Sequence, residues 1–291
     1  MGLKTKKILD VAITVQEKDE ILEEIKKYLS KSQIPNPKSQ NKMVNPLVIF
    51  TPNPEIINFA QKNIFFKEVV NSAQINIPDG AGIVWALKKK ENMSIDKISG
   101  ADFILDLCKL TDKKGFTIGL IGGKNGVALK TSECLRKKYK KSKIEVLGEP
   151  DILVVSSKCY VTSKSDKLHI TNDILYSTKE KSEKKTEKYF ENLVKEIIKR
   201  RIDTLFVALG FPKQEYFIEN VKHQMLNVKT TKPLVLMAVG GAFDYISGSV
   251  PRAPFWMRRI GLEWLFRLIR EPWRIKRQTA GAGFFFRVLF S

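Results

Sequence analysis

Thr51, Asn53 and Asp79 are the residues of this chain whose types and spacing are best suited to shared chemistry. Two short apolar runs, Leu47–Phe50 and Gln74–Ile77, each end in a tight polar turn that opens a helix. The turns are Thr51-Pro52-Asn53-Pro54-Glu55 and Pro78-Asp79-Gly80. If the runs are neighbouring strands of a parallel sheet, a hydroxyl, an amide and a carboxylate meet at its carboxyl edge, where open α/β folds hold their ligands. A carboxylate there suits a general base that takes a proton from an attacking hydroxyl. Each residue also has a local use. Asp79 before Gly-Ala-Gly makes a good helix N-cap, and Thr51 and Asn53 suit a turn stiffened by Pro52 and Pro54.

Three further strand-to-helix corners carry candidate contacts. The stretch Gly119–Gly126, GLIGGKNG, bends at Gly122 and Gly123 and precedes a helix, as phosphate-cradling loops do. Its spacing is neither that of a P-loop nor the dinucleotide G-x-G-x-x-G, so it carries no cofactor fingerprint. Its backbone amides still suit a diphosphate. In Leu209–Glu215, LGFPKQE, Pro212 is placed for a helix start, and Gln214 can face the ligand edge as donor and acceptor. Glu215 suits a cap equally well. Gly240 and Gly241, after the last apolar run, permit close approach of a ligand. Asp244 beyond them fits either a turn or the site.

The elements that must position these corners alternate. Apolar strand candidates are Ile8–Ile13, Leu47–Phe50, Gln74–Ile77, Phe116–Ile121, Lys143–Leu147, Thr204–Leu209 and Leu234–Val239. Between them lie helical stretches at Glu17–Leu29, Ala81–Lys90, Asp102–Thr111, Val127–Tyr139, Lys188–Lys199 and Lys213–Leu226. Such alternation predicts an α/β fold with a mostly parallel sheet flanked by helices. Ile34–Asn45 reads as a loop. Asp151–Thr186 reads as an inserted hairpin, built from Ile152–Val155 and Leu168–Tyr176, then a charged linker into a helix at Tyr189.

After Pro251 the character changes, which suggests a core over residues 1–250 and an appendage over 251–291. Met257, Gly261, Trp264, Leu265 and Leu268 fall on one helical face. Arg259, Glu263, Arg267 and Arg270 fall on the other, with Glu263 set four residues before Arg267 for pairing. Pro272 ends or kinks that helix. Trp273, Arg274, Lys276, Arg277 and the tail GFFFRVLF follow. Basic residues interleaved with aromatics on an amphipathic element suit an anionic membrane surface.

Composition narrows the partners. A formal charge of +20 over 291 residues implies an anionic one: nucleic acid, an anionic membrane surface or a phosphorylated substrate. Part of the lysine excess is background, whereas the basic residues after Pro251 are mostly Arg. Cys108, Cys134 and Cys159 lack metal-ligand spacing, His169 and His223 stand alone, and no Asp-x-Asp occurs, so no metal site is expected. Unpaired cysteines fit a reduced compartment. No run of eighteen apolar residues is present and MGLKTKKILD has no signal-peptide core, which reads as soluble or peripheral. A nucleic-acid-binding protein accounts for the charge but lacks a recognition motif. A nicotinamide oxidoreductase accounts for the alternation but lacks the fingerprint. A peripheral scaffold without activity is the third alternative.

TPNPE, IPDGAGIVWA, LIGGKNGVA, ALGFPKQE, VGGAFDYISG and RAPFWMRRIGLEWLFRLIREPWR occur in that order. Together they resemble the TagA/WecG/CpsF group, glycosyltransferase family 26, over nearly the whole chain apart from Asp151–Thr186. The resemblance implies a Rossmann-like α/β core with a C-terminal amphipathic, basic helical appendage. It implies an inverting, metal-independent transfer from a UDP-sugar to polyprenyl-diphosphate-linked N-acetylglucosamine at the cytoplasmic face of the membrane, without cofactor. Donors in that group are UDP-N-acetylmannosamine or its uronic acid, for teichoic-acid linkage units, common antigen, capsule or exopolysaccharide. By motif, Asp79 resembles the catalytic base, with Thr51, Asn53 and Gln214 lining the pocket, and Arg267, Arg274 and Arg277 match basic positions of the appendage. Where the family usually has Arg, this chain has Lys97, which keeps the charge and loses the bidentate fork. A homo-oligomer in solution is also implied.

Overall fold

Six parallel strands form the centre of the protein. The computed structural model describes residues 2–30, 43–155, 157–162, 175–228, 230–272 and 275–291, with backbone alone at 175–181, 276–278 and 280. In chain order it contains β1 (Thr5–Ile8), β2 (Val11–Thr14), α1 (Lys18–Ser30), β3 (Leu47–Phe50), α2 (Pro54–Ala60), α3 (Ile64–Asn71), β4 (Ile75–Asn76), α4 (Ala81–Glu91) and α5 (Gly100–Lys114). Next come β5 (Thr117–Gly122), α6 (Val127–Lys138), β6 (Lys143–Gly148), β7 (Asp151–Val155), β8 (Lys158–Thr162), α7 (Leu175–Lys199), β9 (Ile202–Ala208) and α8 (Lys213–Val228). The chain continues through β10 (Val235–Ala238), α9 (Ala242–Ile246), α10 (Phe255–Arg259), α11 (Glu263–Arg270) and α12 (Ile275–Phe290).

The sheet runs in the order β4-β3-β10-β9-β5-β6, every pairing parallel. Helices cover both faces, which is why its inner strands read as unbroken apolar runs. Successive side chains then go to opposite faces. Val48, Phe50, Leu205, Val207, Leu236 and Ala238 pack on one side, with α2, α3 and α8. Leu47, Ile49, Phe206, Val235 and Met237 pack on the other, with α1, α5 and α6. The mostly parallel, helix-flanked sheet expected from the alternation is the one observed, and it has the Rossmann-like α/β form that the resemblance implies.

Three expectations about elements need correction. The run Ile8–Ile13 is no single strand: Leu9 and Asp10 adopt φ of 49° and 61°, so the chain reverses there and β1 pairs antiparallel with β2. Two positive-φ residues in a two-residue loop match the twist of a hairpin. Leucine seldom occupies that conformation, and the turn was hidden for that reason. The inserted hairpin pairs β7 with β8, so its second strand is Lys158–Thr162 and not Leu168–Tyr176. Residues 168–174 lie outside the described residues, and α7 begins at Leu175 in place of a linker. Helix α3, capped by Asn63 Oδ1 accepting the Phe66 N–H at 2.9 Å, was not foreseen.

Beyond Pro251 the described residues form three helices. Gly261, at φ 81°, separates α10 from α11, and α11 stops just before Pro272. Helix α12 lies back on α2 and α4. Its Phe284 and Val288 are fully buried in the same apolar cluster as Phe50, and Arg287 Nε donates to Asn58 Oδ1 at 3.2 Å.

Candidate active site

Five strand ends and the C-terminal helices enclose one large cavity of about 1680 Å³. That exceeds the roughly 300–1,000 Å³ of a typical single-ligand pocket, so two substrates fit at once. The cavity lies outside the carboxyl ends of the strands, on the side where such sheets bind ligands.

The two turns after β3 and β4 do converge. The Ile77 N–H donates to Phe50 O at 2.9 Å and the Asp79 N–H to Pro52 O at 3.3 Å, which pins one turn to the other. Thr51, Asn53 and Asp79 all line the cavity. Asn53 is also a helix cap, its Oδ1 accepting the Ile56 N–H at 3.0 Å, so contact with a ligand falls to its amide nitrogen. Asp79 does not cap α4, whose N-cap is Gly80 with no side-chain bond. Its Oδ1 instead receives the Gly100 N–H of α5 at 3.4 Å. Surrounded by protein and open only on the cavity side, its carboxyl is pushed up to about 6. Burial is the main cause, Glu263 adds to it, and the Gly100 N–H, Lys97 and Arg252 oppose it.

The other predicted residues fall into place unevenly. Lys97 lines the cavity while its Nζ donates to Arg258 O at 2.7 Å. Gln214, buried, spans two corners: its Oε1 accepts the Gly240 N–H at 2.9 Å, and its Nε2 donates to Glu215 Oε1 at 3.0 Å. It holds the β9 and β10 loops together at the cavity wall. Gly123 and Gly240 line the wall as well. Gly122 does not; a Cβ there would lie 2.5 Å from Ala208 O, so its glycine serves the close approach of β5 to β9. The amides of the α6 entry are already engaged, because Glu149 accepts from Gly126 N at 3.1 Å and Ala128 N at 3.3 Å. An internal carboxylate occupies the slot expected for a diphosphate.

Arg267 reaches the cavity from α11, and the expected pairing with Glu263 is absent. Arg267 Nε meets Glu271 Oε2 at 2.7 Å and its Nη2 stands 3.7 Å from Asp244, with the Tyr245 ring 5.1 Å away. Glu263 pairs instead with Arg252 Nε at 3.3 Å. Both Glu263 and Arg267 turn inward to the cavity, Trp264 lines it while half-exposed, and Ile269 is exposed. The face expected to meet solvent is therefore partly the inner one. Arg274 lies outside the described residues, and so does the side chain of Arg277.

Sequence reasoning missed Lys124, Lys130 and Lys213, all on the cavity wall near the blocked loop. Two of them stand inside the motifs GGKNG and FPKQE, and the lysine-rich background masked them. Among the described residues no group of three His, Cys, Asp or Glu stands close enough to hold a metal.

A family model described as the glycosyl transferase WecG/TagA/CpsF family matches residues 6–291. The chain belongs to this family. It is a glycosyltransferase of cell-surface polysaccharide synthesis. A Bacillus subtilis (strain 168) protein named N-acetylglucosaminyldiphosphoundecaprenol N-acetyl-beta-D-mannosaminyltransferase is 32% identical over 233 residues, 80% of this chain and 75% of the relative. Proteins of the same name from Bacillus spizizenii (strain ATCC 23059 / NRRL B-14472 / W23) and Staphylococcus aureus (strain MW2) are 30% and 25% identical, over 80% and 85% of this chain and 74% and 82% of their own lengths.

Proposed function

We propose that this glycosyltransferase moves an N-acetylmannosamine-type sugar, N-acetylmannosamine or its uronic acid, from a UDP-sugar to polyprenyl-diphosphate-linked N-acetylglucosamine. The observation that carries the reading is Asp79, a carboxyl on the wall of a cavity with room for donor and acceptor together, which burial pushes up to about 6. The names of the relatives supply the sugar and the lipid carrier. An acceptor hydroxyl gives its proton to Asp79 as its oxygen attacks the anomeric carbon. The bond from that carbon to the diphosphate oxygen breaks on the opposite face, and UDP departs with the electron pair. In-line attack inverts the anomeric centre.

UDP leaves with added negative charge, which fixed cations aimed at it offset. Lys124, Lys130 and Lys213 supply it near the α6 entry, and Arg267 supplies it from α11. The reading assigns no step to a metal. Trp85, Trp264, Leu268 and Phe285 form an apolar end of the same cavity, with the rings of Trp85 and Phe285 5.3 Å apart. This end suits the first prenyl units.

Phe255, Trp256, Ile260, Ile269, Phe286 and Phe290 are exposed around the cavity's C-terminal wall, beside Arg259 and Arg270. Aromatic and basic residues together fit the headgroup region of an anionic membrane. Among the described residues no helix is long and apolar enough to cross one. The proposal therefore places the protein on the inner face of the cell membrane. Away from a membrane the same surface needs cover, and the proposal includes a homo-oligomer in solution that vesicles dissolve, read by sedimentation.

Transfer to a short-chain polyprenyl-diphosphate-N-acetylglucosamine, compared across UDP-N-acetylmannosamine, its uronic acid, UDP-glucose and UDP-N-acetylglucosamine, tests the reading. One of the first two donors is expected to react, faster with anionic vesicles present. Silence with both, or use of UDP-glucose alone, refutes it.

Gly241 offers a narrower check on Arg267. A Cβ there would fall 2.5 Å from Nη2 and 2.8 Å from Nη1 of that side chain, and Gly241 has an ordinary φ of −84°. The flexible guanidinium yields before the backbone does. Gly241→Ala is expected to raise the donor KM roughly tenfold, about 1.4 kcal/mol, with little change in the unfolding midpoint. An unchanged KM would remove Arg267 from donor binding.

A further inference from the structure

The segment after Pro251 grips the turn that surrounds Asp79. Arg252 donates to both oxygens of Asp102, from Nη1 at 2.5 Å and Nη2 at 2.9 Å, and Nη2 also meets Ser99 Oγ at 3.1 Å. Ser99 and Asp102 flank Gly100, whose N–H touches the Asp79 carboxylate. On its other edge Arg252 holds Glu263. Lys97, in the same turn, is tied to the Arg258 carbonyl. Gly261 then sits so close to the start of α4 that a Cβ would lie 2.8 Å from Ala81 Cβ, two residues past Asp79. Glu263, the first residue of α11, lines the same cavity as Asp79.

We propose that Glu263 is a positioning residue for the transfer reaction: a second carboxylate that the C-terminal segment sets against Asp79, anchored by Arg252. The inference rests on Asp79 as the base. It means that this segment completes the acid–base apparatus as well as covering the cavity. Four groups face Asp79 from the elements packed around it. The Gly100 N–H comes from α5, Lys97 from the turn before it, Arg252 from the stretch before α10, and Glu263 from α11. Of these, only Glu263 favours the protonated form. Its ion pair with Arg252 holds it in place, while its field makes Asp79 a stronger proton acceptor than an isolated aspartate.

The test uses the full chain on anionic vesicles and compares Glu263→Gln with Glu263→Asp. Glu263→Gln is expected to move the acid limb of the pH–rate profile down by roughly half a unit or more, the size of one charge acting across a partly wet cavity. Its plateau kcat should fall roughly twofold to fivefold, because the base is weaker, with KM for the donor unchanged. Glu263→Asp should restore most of both. Carbon-13 NMR of the Asp79 carboxyl in aspartate-labelled protein reads the same shift without any turnover. An unmoved carboxyl midpoint, or equal losses in the two variants, overturns the proposal. A carboxyl that shifts while the rate profile stays put supports the pairing of the two carboxylates and overturns Asp79 as the base.

Discussion

Asp79→Asn is expected to lower transfer by roughly 10²–10⁴-fold, the range removed with a general base, while making the folded protein more stable at neutral pH. The amide keeps the shape of the side chain and can still accept the Gly100 N–H, but it cannot take a proton. In the unsubstituted protein kcat/KM should fall about tenfold per unit below pH 6, where the Asp79 carboxyl takes up its proton. In the variant that limb should vanish from whatever rate remains. The stability effect has the opposite sign. Folding raises this carboxyl from its ordinary 3.8 to about 6. The folded state therefore holds more protons between those values, and stability declines as pH rises through them. Removing the charge relieves up to about 3 kcal/mol at pH 8, and the relief disappears below pH 4. Denaturant titrations of both proteins at pH 4 and pH 8 measure it. A variant of normal rate would return Asp79 to a structural role.

Phe284→Ala is expected to cost about 3–5 kcal/mol, the usual loss when a large core aromatic is truncated. Phe284 is fully buried and shares a cluster with Phe50 of β3 and Phe217 of α8. If α12 unfolds together with the sheet, the whole loss appears in the main denaturant midpoint. If residues 251–291 form a separable unit, the loss is capped by the free energy of undocking α12. The main midpoint then holds still, and proteases cut the chain near residue 251. We expect the first result. Glu55, Asn58 and Trp85 of α2 and α4 face the space that α12 fills, and the Trp85 and Phe285 rings meet across it.

The parts of this protein that local chemistry dictates were legible in the sequence. Leu47–Phe50 is an uninterrupted apolar run because a parallel strand is covered on both faces, and its limits were read to the residue. The turns after β3 and β4 announced themselves through Pro, Asn, Asp and Gly, and their convergence followed from adjacency in the sheet. What escaped depended on distant partners. The slot at the α6 entry looked open because the carboxylate filling it, Glu149, lies more than twenty residues downstream of the amides it caps. Glu263 was assigned to Arg267 by the four-residue rule for helices, but it is the first residue of α11 and answers to Arg252, eleven positions back. No periodicity encodes such a pairing.

The distribution of the cavity's walls along the chain has a consequence for its synthesis. Thr51, Asn53 and Asp79 are made in the first third of the polypeptide, while Arg252, Glu263 and Arg267 follow only after the last strand. Until α11 has been translated, Asp79 has neither its roof nor the carboxylate beside it. A nascent or prematurely terminated chain thus carries Asp79 without Glu263 and without the α11 side of the cavity wall. On the role proposed for Asp79, such a chain is expected to show no transfer activity.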